Sequence, residues 1–208
     1  MKRDHAVLLA AGITLGAWTV AARTPPLAQA DLAVTRWLQQ YASPALDVIF
    51  SIITIAGNVE VTVVLAVLIA VALARRGRMQ LSVALWAVFI GGLAVEWIVK
   101  HWLPHPGVPE SLRRPGVNIL HYLVRTPYSY PSGHAFRTML LATAASLLRA
   151  QTSRWRRLLP YVLGAAVALM GVALVYLGDH WASEVIGGYL LAVLGITLLV
   201  LTGRPPGS

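Results

Sequence analysis

The chain has 208 residues, 57% of them hydrophobic and 12% charged, with a mean hydropathy of +0.68. Soluble domains carry about 25% charged residues, and one core of this size cannot bury so much apolar surface, which excludes an ordinary soluble domain and leaves an integral membrane protein. The net charge of +9 sits in short basic clusters between apolar runs, without interleaved aromatics, so it argues for membrane topology and against nucleic acid; the absence of cysteine excludes disulfides, thiolate catalysis and Cys-based metal sites.

Apolar runs long enough to cross a bilayer, about 20 residues each, lie near 6–22, 58–74, 80–99, 133–149, 157–177 and 183–202. The first follows "MKR" and precedes Pro25-Pro26 and "LAQA". That pattern competes as a cleavable signal peptide, but the run is longer than a usual signal core. Residues 27–41, "LAQADLAVTRWLQQY", set Leu27, Val34, Trp37, Leu38 and Tyr41 on one stripe, which predicts an interfacial amphipathic helix. From Ala45 to Ala74 the apolar stretch is too long for one helix and breaks at Gly57-Asn58. The segment 45–56 is predicted as a half-buried helix at the membrane face, followed by a true span. Asp47 and Glu60 flank it and read as structural.

Lys2 and Arg3 precede the first span, and Arg75, Arg76 and Arg78 follow the second. Arg149, Arg154, Arg156 and Arg157 lie between the fourth and fifth, and Arg204 follows the sixth. These clusters alternate as the positive-inside rule requires. The expected architecture is one all-α membrane domain over 1–208, a bundle of six transmembrane helices with its core at 45–202. The span 6–22 and the interfacial helix 27–41 are attached to it. Both termini are expected in the cytoplasm of a cell (inner or plasma) membrane, with an active-site loop on the outer face.

The remaining polar residues then sort to that outer face: Lys100, Arg113, Arg114, Ser132, Gly133, His134, Asp179, His180 and Glu184. Ionisable residues at such depth cost several kcal/mol unless paired or facing a wet cavity, so they are functional candidates. Phosphoryl transfer suits them. Fixed cations neutralise phosphate oxygens, Arg as a fork and Lys as a point charge. Gly133 lets backbone come close at a helix start, where N–H groups favour an anion. Two histidines supply a nucleophile and an acid. His180 and Glu184, four apart, share a helix face, so the carboxylate can orient the ring. His101 and His105 raise a metal reading, but Pro104 and Pro106 spoil a helical His pair and no third ligand stands nearby. No metal and no other cofactor is expected.

"PSGH" at 131–134, a Lys-then-Arg-Pro element before it and "YLGDHWASEVIGG" after it resemble the type 2 phosphatidic acid phosphatase family. The resemblance covers about 45–200. It implies a six-span helical fold that removes phosphate from lipid phosphates or diphosphates through a phosphohistidine, without a metal. By the same resemblance, His180 is the nucleophile, His134 the acid, Lys100 and Arg114 (or Arg113) the phosphate-binding pair, and Ser132 and Gly133 the phosphate turn. Three departures stand out. Thirteen residues instead of six separate Lys100 from Arg114-Pro115, a folded-out loop in expectation. Glu184 replaces an Asp. Ala173 and Leu174 stand where the family has Ser-Arg. Arg137, three residues beyond His134, lies on the same helical face and is a candidate replacement for the lost Arg.

The expected function is therefore hydrolysis of a lipid phosphate: a polyprenyl diphosphate such as undecaprenyl diphosphate, phosphatidylglycerol phosphate or phosphatidic acid. The partners are that substrate and the bilayer. The competing expectation is a catalytically silent protein that binds or translocates a lipid phosphate.

Overall fold

Local chemistry places the helix starts. Prolines occupy the first positions of two helices, where a missing N–H costs nothing. Ser43 caps the second of these and Ser132 caps another helix, accepting from the N–H of Leu46 at 3.3 Å and of Ala135 at 3.4 Å. The computed structural model describes residues 2–116, 127–148 and 155–202. Among them the chain is all-helical: α1 (Lys2–Ala21), α2 (Pro25–Gln39), α3 (Pro44–Ile55), α4 (Val59–Arg75), α5 (Met79–Trp102), α6 (Gly133–Ser146), α7 (Trp155–Leu177) and α8 (Ala182–Thr202), with a 3-10 turn at Glu110–Leu112. Arg149, Arg154 and Arg204 lie outside the described residues, as do the side chains of Lys2, Arg3 and Arg156.

The helices α1, α5, α7 and α8 are long and apolar enough to cross a membrane, and α3 with α4 form a pair bent by 47° that counts as a further span if taken together. The bend falls at the Gly57-Asn58 break. The surface of the bundle is apolar, with Val64, Leu68, Val83, Ile90, Tyr161 and Val162 all exposed, as a lipid-facing protein requires. The protein is a multi-pass membrane protein. Helix α6 differs from the others. Its 14 residues span about 21 Å at 1.5 Å per residue, and its first turn, Gly133 to Arg137, is wholly buried.

In lipid, helices are not driven together by apolar burial, so close packing and internal hydrogen bonds hold a bundle. Small residues on α5 and α8 supply the close packing. Gly92 lies against the Phe136 ring and Gly188 against the Ser132 carbonyl, and a Cβ at either would collide. Phe136, Leu140, Phe89, Leu85, Leu73 and Leu191 fill the space below. Helix α2 turns much of its apolar stripe outward and buries polar side chains. Val34, Trp37 and Tyr41 face outward, while Asp31 and Thr35 are buried, because Asp31 accepts from Ser183 N at 2.8 Å and Ser183 Oγ at 2.6 Å. Trp18 Nε1 donates to the Ser183 carbonyl at 3.0 Å, so α1 and α2 both hang on the start of α8. At the opposite end, Arg76 and Arg78 donate to the carbonyls of Leu148 and Leu147.

Gly188→Val separates α8 from α6, and overpacking of this kind costs about 1–3 kcal/mol. Thermal unfolding in detergent should drop by several degrees. Gly91→Ala, where a Cβ meets nothing within 4 Å, should hold or raise the midpoint, since Ala favours helix.

Candidate active site

A tight turn between α7 and α8 presents His180. Gly178 takes φ of 73°, and any Cβ there would strike the Leu112 carbonyl, so the position needs glycine. The N–H groups of Asp179 and His180 turn back to the Leu174 carbonyl at 3.0 and 3.3 Å. One helical turn into α8, Glu184 accepts from His180 Nδ1 at 2.6 Å. This carboxylate is fully buried, and an anion there needs a partner at every lone pair. Trp181 N donates to it at 3.3 Å, Ser129 Oγ donates to its other oxygen, and His105 Nδ1 stands 3.0 Å from that same oxygen, off the hydrogen-bonding line, as an ion pair. The ring of His180 is thereby fixed with Nε2 as its free nitrogen.

His134 comes from the first turn of α6. Its Nε2 lies 2.8 Å from Asn58 Oδ1, an acceptor that holds the proton on that nitrogen. Asn58 occupies the N-cap position of α4 but makes no capping bond with its side chain. The rings of His134 and His180 are 6.2 Å apart. Ser132 N donates to the Glu184 carbonyl at 3.0 Å, which ties the start of α6 to the start of α8.

The cations divide into two groups. Lys100 Nζ lies 2.9 Å from Glu96 Oε1, and Arg137 Nη1 lies 2.8 Å from Glu96 Oε2. Arg137 Nε and Nη2 also donate to the Gly57 carbonyl at 3.3 and 3.1 Å. The Glu96 carboxylate rests directly against Gly133. Arg114 instead forms a two-pronged pair with Asp47 at 3.1 and 2.9 Å, and Tyr176 OH donates to the same carboxylate at 2.8 Å. Arg113 is half exposed beside Glu110 at 3.3 Å. Leu174 is buried among Ala135, Met170, Val175 and Val185.

Of the residues singled out in the sequence, Ser132, Gly133, His134, Arg137, Lys100, His180 and Glu184 converge at one end of the bundle. Arg114 is held at Asp47, and Arg113 is paired with Glu110. The long segment after Lys100 is mostly exposed but pinned to the bundle: His105 and Val108 are buried, Trp181 Nε1 donates to the Pro106 carbonyl at 3.1 Å, and Arg114 N donates to the Leu177 carbonyl at 2.8 Å. Four contributors were not assigned a site role from sequence. Asn58 carried only the signal of a helix break, Glu96 that of a neighbour one turn from Lys100, and His105 that of a rejected metal ligand. Ser129 carried none. Among the described residues, no cluster of three His, Asp or Glu side chains could hold a metal ion.

His105 and Asp179, both outside the spans, have shifted acidity. Burial draws His105 down, but Glu184, the Ala22 carbonyl and Asp31 outweigh it and raise its pKa. Burial raises the Asp179 carboxyl, opposed by His180 and Arg113.

A family model described as "PAP2 superfamily" matches residues 79–205. An undecaprenyl-diphosphatase of Sulfolobus acidocaldarius is 40% identical over 67 residues, which cover 32% of this chain and 29% of that protein. A phosphatidylglycerophosphatase B of Bacillus subtilis is 22% identical over 84% of this chain and 83% of its own. The crystal structure of a transmembrane PAP2-type phosphatidylglycerolphosphate phosphatase from Bacillus subtilis superimposes with a TM-score of 0.74 at 20% identity, covering 94% and 93% of the two chains.

Because His105 has a raised folded pKa, its ion pair stabilises the fold fully below the ordinary value of about 6.5. That contribution is lost as pH rises through the raised value. Unfolding midpoints measured across this range should fall for the wild type and stay flatter for His105→Gln. Asp47→Ala removes the carboxylate that Arg114 and Tyr176 share and should cost about 1–3 kcal/mol. Adding Arg114→Ala should recover part of that loss in the same thermal assay.

Proposed function

The chain belongs to the PAP2 superfamily, and we propose on that premise that it is a lipid phosphatase acting through a phosphohistidine. The observation that carries this reading is the pairing of His180 with Glu184 at 2.6 Å, opposite His134 at a ring separation of 6.2 Å. A phosphoryl group between the two rings meets a nucleophilic nitrogen on one side and a proton donor on the other. Lys100 and Arg137 flank it, and the first turn of α6 turns its amides toward it. Such fixed positive groups are the main catalytic device in phosphoryl transfer.

In the proposed cycle, His180 Nε2 attacks phosphorus in line. The bond to the lipid oxygen breaks, and His134 delivers its proton to that oxygen. Water then attacks the phosphohistidine with His134 as base, releasing phosphate. Glu184 keeps the proton on Nδ1 of His180 and balances the charge that develops on the ring. No metal takes part. Arg137 takes the place of the arginine that Leu174 does not supply. Arg114 is proposed as a further phosphate ligand that exchanges Asp47 for substrate, and Arg113 as an outer contact for the head group.

The substrate is a polyprenyl diphosphate or a glycerolipid phosphate of the phosphatidylglycerophosphate or phosphatidic acid kind. The matches to both an undecaprenyl-diphosphatase and a phosphatidylglycerophosphatase support this pair of classes. The catalytic end faces away from the cytoplasm and both termini face inward. Helix α6 completes a bundle of six passes, and α2 lies along the interface. The outward Trp37 and Tyr41 and the exposed Trp97 and Trp102 support this placement as an aromatic belt. A catalytically silent lipid-phosphate binder is the second reading, favoured by the commitment of Arg114 to Asp47.

Purified protein on a panel of these lipids, with EDTA present, should release phosphate. His180→Ala should reduce release at least about a thousandfold. Binding without release from any lipid would establish the silent binder. Arg137→Ala should lower kcat/KM about a hundredfold, and Leu174→Arg added to it should restore part. Near-normal activity in the single variant would remove Arg137 from the phosphate site.

A further inference from the structure

Glu96 has no part in the cycle above, yet it holds two of the cations assigned to phosphate, Lys100 and Arg137. Its two oxygens take Lys100 Nζ at 2.9 Å and Arg137 Nη1 at 2.8 Å. Its carboxylate lies against the α-carbon of Gly133, in the space a Cβ would fill. An anion seated between Lys100, Arg137 and the start of a helix stands where a phosphate would stand. His180 is also among its electrostatic neighbours. The side chain of Glu96 keeps 13% of its exposure while that of Glu184 keeps none. Glu184 is enclosed on every side, whereas the Glu96 side chain still reaches the surface.

We propose that Glu96 is an internal placeholder for substrate phosphate and acts as a charge gate on specificity. The inference rests on the reading that Lys100 and Arg137 receive phosphate. With the site empty, Glu96 satisfies a buried Arg and a Lys that would otherwise be strongly destabilising. A phosphate monoester, or the terminal phosphate of a diphosphate, carries up to two charges and three free oxygens. Between two cations it outcompetes a carboxylate with one charge. A phosphodiester head group carries one charge and two free oxygens. It gains little by the exchange and must displace a carboxylate tethered beside the site, which has the advantage of a high effective concentration. Phosphodiesters are the bulk of a phospholipid bilayer, so the gate keeps the site open to a scarce substrate.

The test uses full-length wild type, Glu96→Gln and Glu96→Asp at roughly pH 8, where phosphate is doubly charged. Inorganic phosphate is titrated by thermal shift on all three. Lipid phosphate hydrolysis is then measured in vesicles of phosphatidylcholine with increasing phosphatidylglycerol, a singly charged diester. A gate closed about nine-tenths of the time weakens apparent affinity about tenfold. Phosphate should therefore bind Glu96→Gln about tenfold more tightly, with Glu96→Asp in between, since its shorter arm cannot hold both cations. Phosphatidylglycerol should inhibit Glu96→Gln and leave the wild type unaffected. Equal phosphate affinity in all three proteins overturns the gate, as does weaker binding with a lower starting midpoint, the signature of a purely structural ion pair. A wild type that hydrolyses nothing, but whose phosphate shift moves with Glu96→Gln, overturns the phosphatase reading and keeps the gate. If Glu96→Gln does not fold, the comparison of Glu96→Asp with wild type decides.

Discussion

A carboxylate with no exposure, buried in a helical bundle, is the constraint on which the catalytic end depends. Glu184 can remain ionised there only if its oxygens are paired, and the partners come from three separate parts of the chain. His180 and the Trp181 amide approach from the turn before α8. Ser129 approaches from the segment leading into α6, and His105 from the segment after α5. The carbonyl of the same residue receives Ser132 N. One side chain thus fixes the ring of one histidine and, through the backbone, the helix that carries the other.

The same pairing logic runs through the rest of this end. Lys100 and Arg137 share Glu96, Arg114 has Asp47, and Arg113 has Glu110. Buried pairs add little net stability, because desolvation offsets attraction, but losing one partner is severe. The two long-range pairs, Arg137 with Glu96 and Arg114 with Asp47, specify which elements meet. A site rich in cations can then assemble in an apolar bundle before any anionic substrate arrives. On the proposed reading, substrate replaces an anion already present.

The long segment between Lys100 and Arg114 illustrates how a departure from a family pattern is absorbed. Its prolines stop α5 from continuing. They let the chain fold back under α8, where His105 and Val108 become buried. Gly178 is the matching concession on the other side, since only glycine leaves room for the Leu112 carbonyl. Helix α6 is short for a related reason. It is enclosed by α4, α5, α7 and α8, so its length answers to the site at its start and the packing of Phe136 and Leu140 below.

The hydrophobic runs determined the helices, because in a bilayer every backbone group must be satisfied within its own segment. The boundaries near 58, 80, 157 and 183 followed from that alone. The His180–Glu184 contact was equally legible, since four residues on a helix are neighbours whatever surrounds them. So was the placing of Ser132, Gly133 and His134 at a helix start. Glu96 beside Lys100 was legible for the same reason, but the partners of Arg114 and Arg137 were not. Which carboxylate meets Arg114 depends on α3 packing beside α7, and which meets Arg137 depends on α5 packing beside α6. Asn58 reaches His134 only because the α3–α4 break lies against the first turn of α6. The inward face of α2 was not legible either, because an apolar stripe satisfies lipid as readily as protein. Only tertiary packing could assign Asp31 to Ser183, since spacing along the chain carries no information about neighbours on another helix.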